Sequence, residues 1–247
     1  MRIAVIADIH GNLPALDAVL ADIGGRDVAR MVNLGDVVSG PLWPRETMER
    51  LAGMPMPTVR GNHDRWVSQN DPASMGASDR FAHRDLDAAS RAALGALPVA
   101  AELGHGILAF HATPGDDNRY LVEVVRAGQL VRDSVAGIGA RLGAVGARIV
   151  LCGHSHLPGL VQLPAGPLIV NPGSVGCPAY DDPGDAPHVS ESASPHARYA
   201  VLTLEGDRVA VELIAIEYAW DEAASRAERN GRPDWAHALR TGLMRGS

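Results

Sequence analysis

Short apolar runs that end in polar clusters recur along the first two thirds of the chain. Ile3 to Ala7 is continuously apolar, the pattern of a strand buried on both faces, and it stops at Asp8-Ile9-His10-Gly11-Asn12. Leu13, Leu16, Val19, Leu20 and Ile23 then fall at helical spacing, with Pro14 early in the segment and Gly24-Gly25 closing it, so a helix is predicted. The alternation returns with different end groups. Val28 to Val32 leads to Asn33-Leu34-Gly35-Asp36, and Thr58-Val59 leads to Arg60-Gly61-Asn62-His63-Asp64. Ile107 to Phe110 leads to His111, Arg148 to Cys152 to Gly153-His154-Ser155-His156, and Leu168 to Val170 to Asn171-Pro172-Gly173-Ser174. Strands alternating with helical segments predict a layered α/β domain.

The character changes after about residue 198. Tyr199 to Leu204 and Val209 to Ile216 flank Gly206-Asp207, which reads as a β-hairpin. Residues 219–244 read as helical, interrupted at Gly231 and Pro233, and the Ala-rich stretch from Asp85 to Leu97 predicts another helix. Two stretches read as irregular: Ser68 to Ser78, and 181–195, whose Asp, Pro, Ser and Gly content predicts a flexible loop.

At 247 residues and 46% hydrophobic content the chain has enough apolar material for one large domain spanning 1–247. The net charge of -7 argues against duplex nucleic acid as a partner but not against a small anionic substrate, because bound metal can supply local positive charge. Met1-Arg2 run straight into the first apolar segment, unlike a signal peptide, and no apolar run is long enough to span a bilayer. Cys152 and Cys177 are too few for a disulfide framework, so a reducing, cytoplasmic setting is expected. Nothing in the pattern reads out an oligomeric state.

The chemistry lies in the polar clusters. Asp8 and His10 are two residues apart at a strand end, where extended backbone would turn both toward one ion. His154 and His156 repeat that spacing, and Gly35 permits a sharp turn that exposes Asp36. One carboxylate can bridge two cations about 3.5–4 Å apart. Asn62 offers a carbonyl oxygen and His111 a further nitrogen. Mixed oxygen and nitrogen donors suit Mn, Fe, Zn or Co better than Ca or Mg. Any one cluster alone reads as a polar turn or a buried histidine. Their common position at strand ends and their complementary donor types favour a shared centre. Asn12 opens the first helix, where free N–H groups could meet a phosphate oxygen or the side chain could serve as a simple N-cap.

Asp8-x-His10, Gly35-Asp36, Gly61-Asn62-His63-Asp64, His111 and Gly153-His154-x-His156 together resemble the signature of the calcineurin-like metallophosphoesterases, over Met1 to about Ser174. Asp8-Ile9-His10-Gly11-Asn12 and Asn171-Pro172-Gly173-Ser174-Val175-Gly176 resemble the compact bacterial and archaeal branch, single-domain phosphodiesterases and phosphatases. The resemblance implies a four-layer α/β/β/α sandwich of two mixed sheets flanked by helices. It implies two divalent transition-metal ions, Mn first among Mn, Fe, Zn, Co and Ni. Asp8, His10, Asp36 and His156 would hold one ion; Asp36, Asn62, His111 and His154 would hold the other. His63 would be the near-substrate histidine, with Asp64 orienting it. The implied reaction is hydrolysis of a small phosphorylated substrate, nucleotides among the candidates, by a metal-bridging hydroxide. The alternative is a non-catalytic scaffold or regulatory module on the same fold. The substrate pocket is expected around Trp66, Ser68–Ser78 and Asp116–Tyr120.

Overall fold

The computed structural model describes residues 1–245; Gly246 and Ser247, inside the expected single domain, lie outside the described residues. In chain order the elements are β1 (Arg2–Ile6), α1 (Leu13–Gly24), β2 (Arg30–Asn33), α2 (Pro44–Leu51), α3 (Asn62–Gln69), α4 (Ala77–Asp85) and α5 (Ala88–Gly95). There follow β3 (Ala100–Glu102), β4 (Ile107–Phe110), β5 (Glu123–Arg126), β6 (Gln129–Arg132), α6 (Val135–Leu142), β7 (Ile149–Leu151), β8 (Gly159–Gln162) and β9 (Leu168–Asn171). The chain finishes with β10 (Ala179–Asp182), β11 (His188–Glu191), β12 (Ala197–Glu205), β13 (Arg208–Ile216), α7 (Trp220–Arg229) and α8 (Pro233–Thr241).

Two mixed sheets form the centre. One has the order β13-β12-β1-β2, with β1 parallel to β2 and antiparallel to β12. The other is β3-β4-β7-β9-β8, with β4, β7 and β9 parallel. Period-two alternation in β1 explains how they stack. Ile3, Val5 and Ala7 pack with Ile107, Ala109, Ile149 and Leu151 of the second sheet, whereas Ala4 and Ile6 pack with Leu16 and Val19 of α1. On the far side, Phe110, Val150 and Ile169 meet Ile138 and Leu142 of α6. The layers are therefore helix, sheet, sheet, helix, the expected sandwich. Each fully buried Ile or Val in β1 contributes about 1.5–3 kcal/mol relative to exposure.

Two features differ from the sequence expectation. A third sheet, β10-β11-β6-β5, lies beside the sandwich. Within the stretch 181–195, expected to be a flexible loop, β10 and β11 pair antiparallel from Ala179–Glu191 to Asp182–His188. Backbone pairing there overrides a turn-rich composition that argued for irregularity. Of the Ser68–Ser78 stretch only residues 70–76 are a connection, since its ends belong to α3 and α4, and α4 itself was not legible in the pattern. No helix of the described residues is long and apolar enough to cross a membrane.

Candidate metal centre

The chain leaving β1 runs beside the chain leaving β2: Asp8 N donates to Gly35 O and His10 N to Asp36 O, each at 3.0 Å. Ser174 Oγ donates to Asp8 O at 2.8 Å, and Gly176 N donates to the same oxygen at 3.0 Å. The Asn171–Gly176 segment thus locks Asp8 from behind. Paired strand ends place Asp8, His10 and Asp36 at one edge of the sandwich. His111 follows β4, and His154 and His156 follow β7, on the facing sheet.

The reason these side chains converge differs from extended-strand alternation. Asp8, His10, Asp36, His154 and His156 have φ of 56°, 52°, 55°, 70° and 60°. All five lie beyond the strand ends in the left-handed region, which costs non-glycine residues energy and clusters at functional sites. Left-handed turns, rather than period two, aim the donors inward. Gly61 completes the packing: a Cβ there would overlap Asp36 Oδ1.

Two groups emerge, Asp8 with His10 and His156, and Asp36 with His111 and His154; the donor atoms within each lie within 4.8 Å of one another. All six side chains are buried. Tautomers follow from their outer partners. His10 Nδ1 donates to Ser39 O at 2.6 Å, His156 Nδ1 to Cys177 O at 2.7 Å and His111 Nδ1 to Leu34 O at 2.7 Å. His154 instead donates through Nε2 to Asn118 O at 3.1 Å. A carbonyl can only accept, so the opposite ring nitrogens carry lone pairs toward the centre when the imidazoles are neutral.

Those lone pairs lack donors. His10 Nε2 and His156 Nε2 face each other at 3.1 Å, and Asp8 Oδ1 has no hydrogen-bond partner. The Asn62 carbonyl oxygen faces His111 Nε2 at 3.0 Å, His154 Nδ1 at 3.1 Å and Asp36 Oδ2 at 3.3 Å. Turning the amide over would give those acceptors a donor; a cation between them satisfies every lone pair without turning it. Titration behaviour agrees. Burial, with neighbouring imidazoles, lowers His10 to about 4 and His154 to about 3, so both are neutral ligands at physiological pH. Burial would also lower His156 and His111, but Asp8 raises the first and Asp36 raises the second to about 9. Each carboxylate therefore draws a positive charge, a proton or a metal ion, into its group. The residues fit two small divalent cations.

His63 and Asp64 part company. Asp64 accepts from the backbone N–H of Asp36 (2.8 Å), Val37 (2.9 Å) and Gly61 (2.9 Å). It clamps the backbone around Asp36 instead of orienting His63, and burial with the nearby Asp36 charge raises it to about 6. The carboxylate on His63 is Asp79 of α4: His63 Nδ1 donates to Asp79 Oδ1 at 2.7 Å, and Ser39 Oγ donates to the same oxygen at 2.7 Å. Burial alone would lower His63; Asp79 and Asp36 reverse this and raise it to about 9. Asn12 is committed elsewhere. It is fully buried, its Oδ1 caps α1 by accepting from Ala15 N, and its Nδ2 donates to Gly176 O and Tyr218 OH. It does not line the cavity.

A cavity of about 580 Å³ opens over both groups. Trp66, Ser74 to Ser78, Asn118 and Tyr120 line it as the sequence suggested, and Asp79 joins them. Tyr180 from β10, Trp235 from α8 and Arg232 just before α8 line it too, and no sequence signal pointed to them.

Comparison with known proteins follows the same lines. Residues 1–205 match the family model of the calcineurin-like phosphoesterase superfamily domain. A metallophosphoesterase from Sphaerobacter thermophilus is 25% identical, with a TM-score of 0.74 over 98% of this chain and 100% of that one. A hypothetical protein from Pyrococcus horikoshii has the same fold, with a TM-score of 0.74 at 20% identity over 99% of each chain. An uncharacterized protein of Methanocaldococcus jannaschii is 26% identical over 94% of both chains.

Proposed function

The chain belongs to the calcineurin-like phosphoesterase superfamily and is a metal-dependent phosphoesterase, and on that premise we propose that it hydrolyses small phosphodiesters and phosphomonoesters, nucleotides among them, at a two-metal centre. Asp8, His10, Asp36 and His156 would hold one ion; Asp36, Asn62, His111 and His154 would hold the other, with Asp36 shared. Mn is the first choice for the pair, with Fe, Zn, Co and Ni compatible with the donors. Bound there, such ions would supply charge neutralisation for phosphoryl oxygens and a water acidic enough to ionise near neutral pH.

The observation that carries this reading is the convergence of donor-less lone pairs from His10, His156, Asp8 and Asn62 on two adjacent points. The remaining steps fall to the chain's own groups. His63 Nδ1 is held by Asp79, which leaves Nε2 as the nitrogen able to reach substrate. Charged, it stabilises negative charge on the departing oxygen and delivers a proton to it, help that typically supplies about 10²–10⁴-fold. Asp79 is the positioning residue for that ring. Asp64 holds the backbone that presents Asp36. His63 retained over the cavity favours turnover over a non-catalytic scaffold. The two thiols, buried and free, suit a reducing compartment such as the cytoplasm.

Hydrolysis of bis(p-nitrophenyl) phosphate by the Mn-loaded protein, compared with Asp36→Asn, tests the reading. Turnover that collapses together with metal content is expected. Full metal content and full activity in Asp36→Asn would remove Asp36 from the bridging position.

A further inference from the structure

The catalytic groups occupy only the floor of the cavity, and its walls are aromatic. Trp235, His10, His63 and Trp66 form a continuous row with successive ring centroids 6.1, 5.4 and 4.8 Å apart, meeting edge to face. Across from it, Tyr180 packs on His156 and Tyr120 stacks on His154, each at 4.6 Å. The two indoles at the ends of the row are half-buried and line the cavity, so each keeps ring surface open to an occupant.

Trp235 is held there deliberately by its surroundings. It sits on α8, beyond residue 205 where the family match ends. Its indole lies against Gly40, where an added Cβ would come within 3.1 Å of the ring. Arg232 lies over the ring at 5.8 Å and ties α8 to the opposite rim by donating to Ser78 Oγ at 2.9 Å. That guanidinium is no free anion receptor, because its Nε and Nη2 are spent on Asp234 at distances down to 2.6 Å. Asp181 and Asp182 add further negative charge to the lining. Such a cavity repels extra anionic groups remote from the metals and rewards flat, uncharged surface. Its volume falls within the roughly 300–1,000 Å³ of small-ligand sites.

We propose that the cavity selects phosphodiesters whose non-leaving alcohol carries a flat, uncharged ring of nucleobase size, bound against Trp66 and Trp235, and that the C-terminal helix pair supplies this selectivity. The proposal rests on the phosphoesterase reading above. Stacking on an aromatic side chain is worth about 1–3 kcal/mol per base, or about 5- to 150-fold in kcat/KM when the contact persists in the transition state.

Two chromogenic diesters with the same leaving group separate the ideas: thymidine 5′-(p-nitrophenyl phosphate) and methyl p-nitrophenyl phosphate, each with the Mn-loaded full chain. The thymidine ester is expected to have the higher kcat/KM by at least about fivefold. That ratio should fall toward one in Trp235→Leu and survive in Trp235→Phe, which keeps a ring. Tryptophan fluorescence gives a reading independent of turnover: thymidine 5′-monophosphate should quench it and methyl phosphate should not. A ratio near one in the unmodified protein, or a ratio unchanged in Trp235→Leu, overturns the proposal alone. Turnover of neither diester overturns the diester part of the reading above and the proposal with it.

Discussion

Removing the Asp79 carboxylate should slow hydrolysis through His63 and through nothing else. Asp79 Oδ1 accepts at 2.7 Å from His63 Nδ1 and at 2.7 Å from Ser39 Oγ, in a buried setting. Hydrogen bonds to charged groups contribute about 1.5–3 kcal/mol, against about 0.5–1.5 kcal/mol for neutral ones. Asp79→Ala loses the whole contact with the imidazole, so kcat should drop about 10- to 150-fold. Asp79→Asn keeps an acceptor oxygen but not the charge, a difference of about 1–1.5 kcal/mol, so about 5- to 10-fold is expected. Because Asp79 touches no candidate metal ligand, metal content should hold in both variants. The decisive comparison is a double-mutant cycle on bis(p-nitrophenyl) phosphate. In a His63→Ala background, Asp79→Ala should cost little more, since the group it positions is gone. A full second loss in that background, or loss of metal from Asp79→Ala, would show that Asp79 acts through the scaffold and not through His63.

Three further outcomes follow from the same structure. Burial raises Glu123 to about 7, against partial relief from Ser155 and Arg132, so the folded state keeps the proton that the unfolded chain releases near 4.5. Stability should therefore fall as pH rises from about 4.5 through 7, by up to about 3 kcal/mol; Glu123→Gln should flatten that slope in denaturant titrations at pH 5 and pH 8, and parallel slopes would contradict it. A Cβ on Gly176 would overlap the Ile9 carbonyl oxygen and sit 2.6 Å from Asn12 Cβ, so Gly176→Ala should cost about 1–3 kcal/mol, and an unchanged melting temperature would refute the overlap. Chelation should lower the melting temperature, since a metal at 100 times its Kd stabilises by about 2.7 kcal/mol, and adding Mn back should restore it; a melt indifferent to chelator would count against any site among these donors.

The donor residues were legible because polar clusters interrupt strands that are otherwise apolar, and each such interruption among Asp8, Asp36, His111 and His154 falls at an edge of the sandwich. The backbone geometry that aims them was not legible. Spacing of two suggested extended strands, whereas Asp8 and His10 adopt left-handed turns that tertiary hydrogen bonds to Gly35 O and Asp36 O hold in place. Adjacency misled on Asp64: at the third position after Gly61 its carboxylate reaches backbone N–H groups more readily than the neighbouring ring. Asp79 was hidden in a polar helix, Ala77–Asp85, whose composition gives no sign that one of its acids is buried. The third sheet was hidden for a similar reason, since β5 and β6 are four residues each with polar or charged ends and pair without a clear apolar face. Trp235 could be found only once α8 was seen to fold back over His10.

The two-metal centre is open to direct count. Elemental analysis of the purified chain after Mn loading and removal of excess metal should give two ions per chain, with about one lost in His10→Ala and about one lost in His111→Ala. A single ion in the unmodified protein, or the same ion lost in both variants, would contradict a pair of sites divided between Asp8-His10-His156 and Asp36-His111-His154.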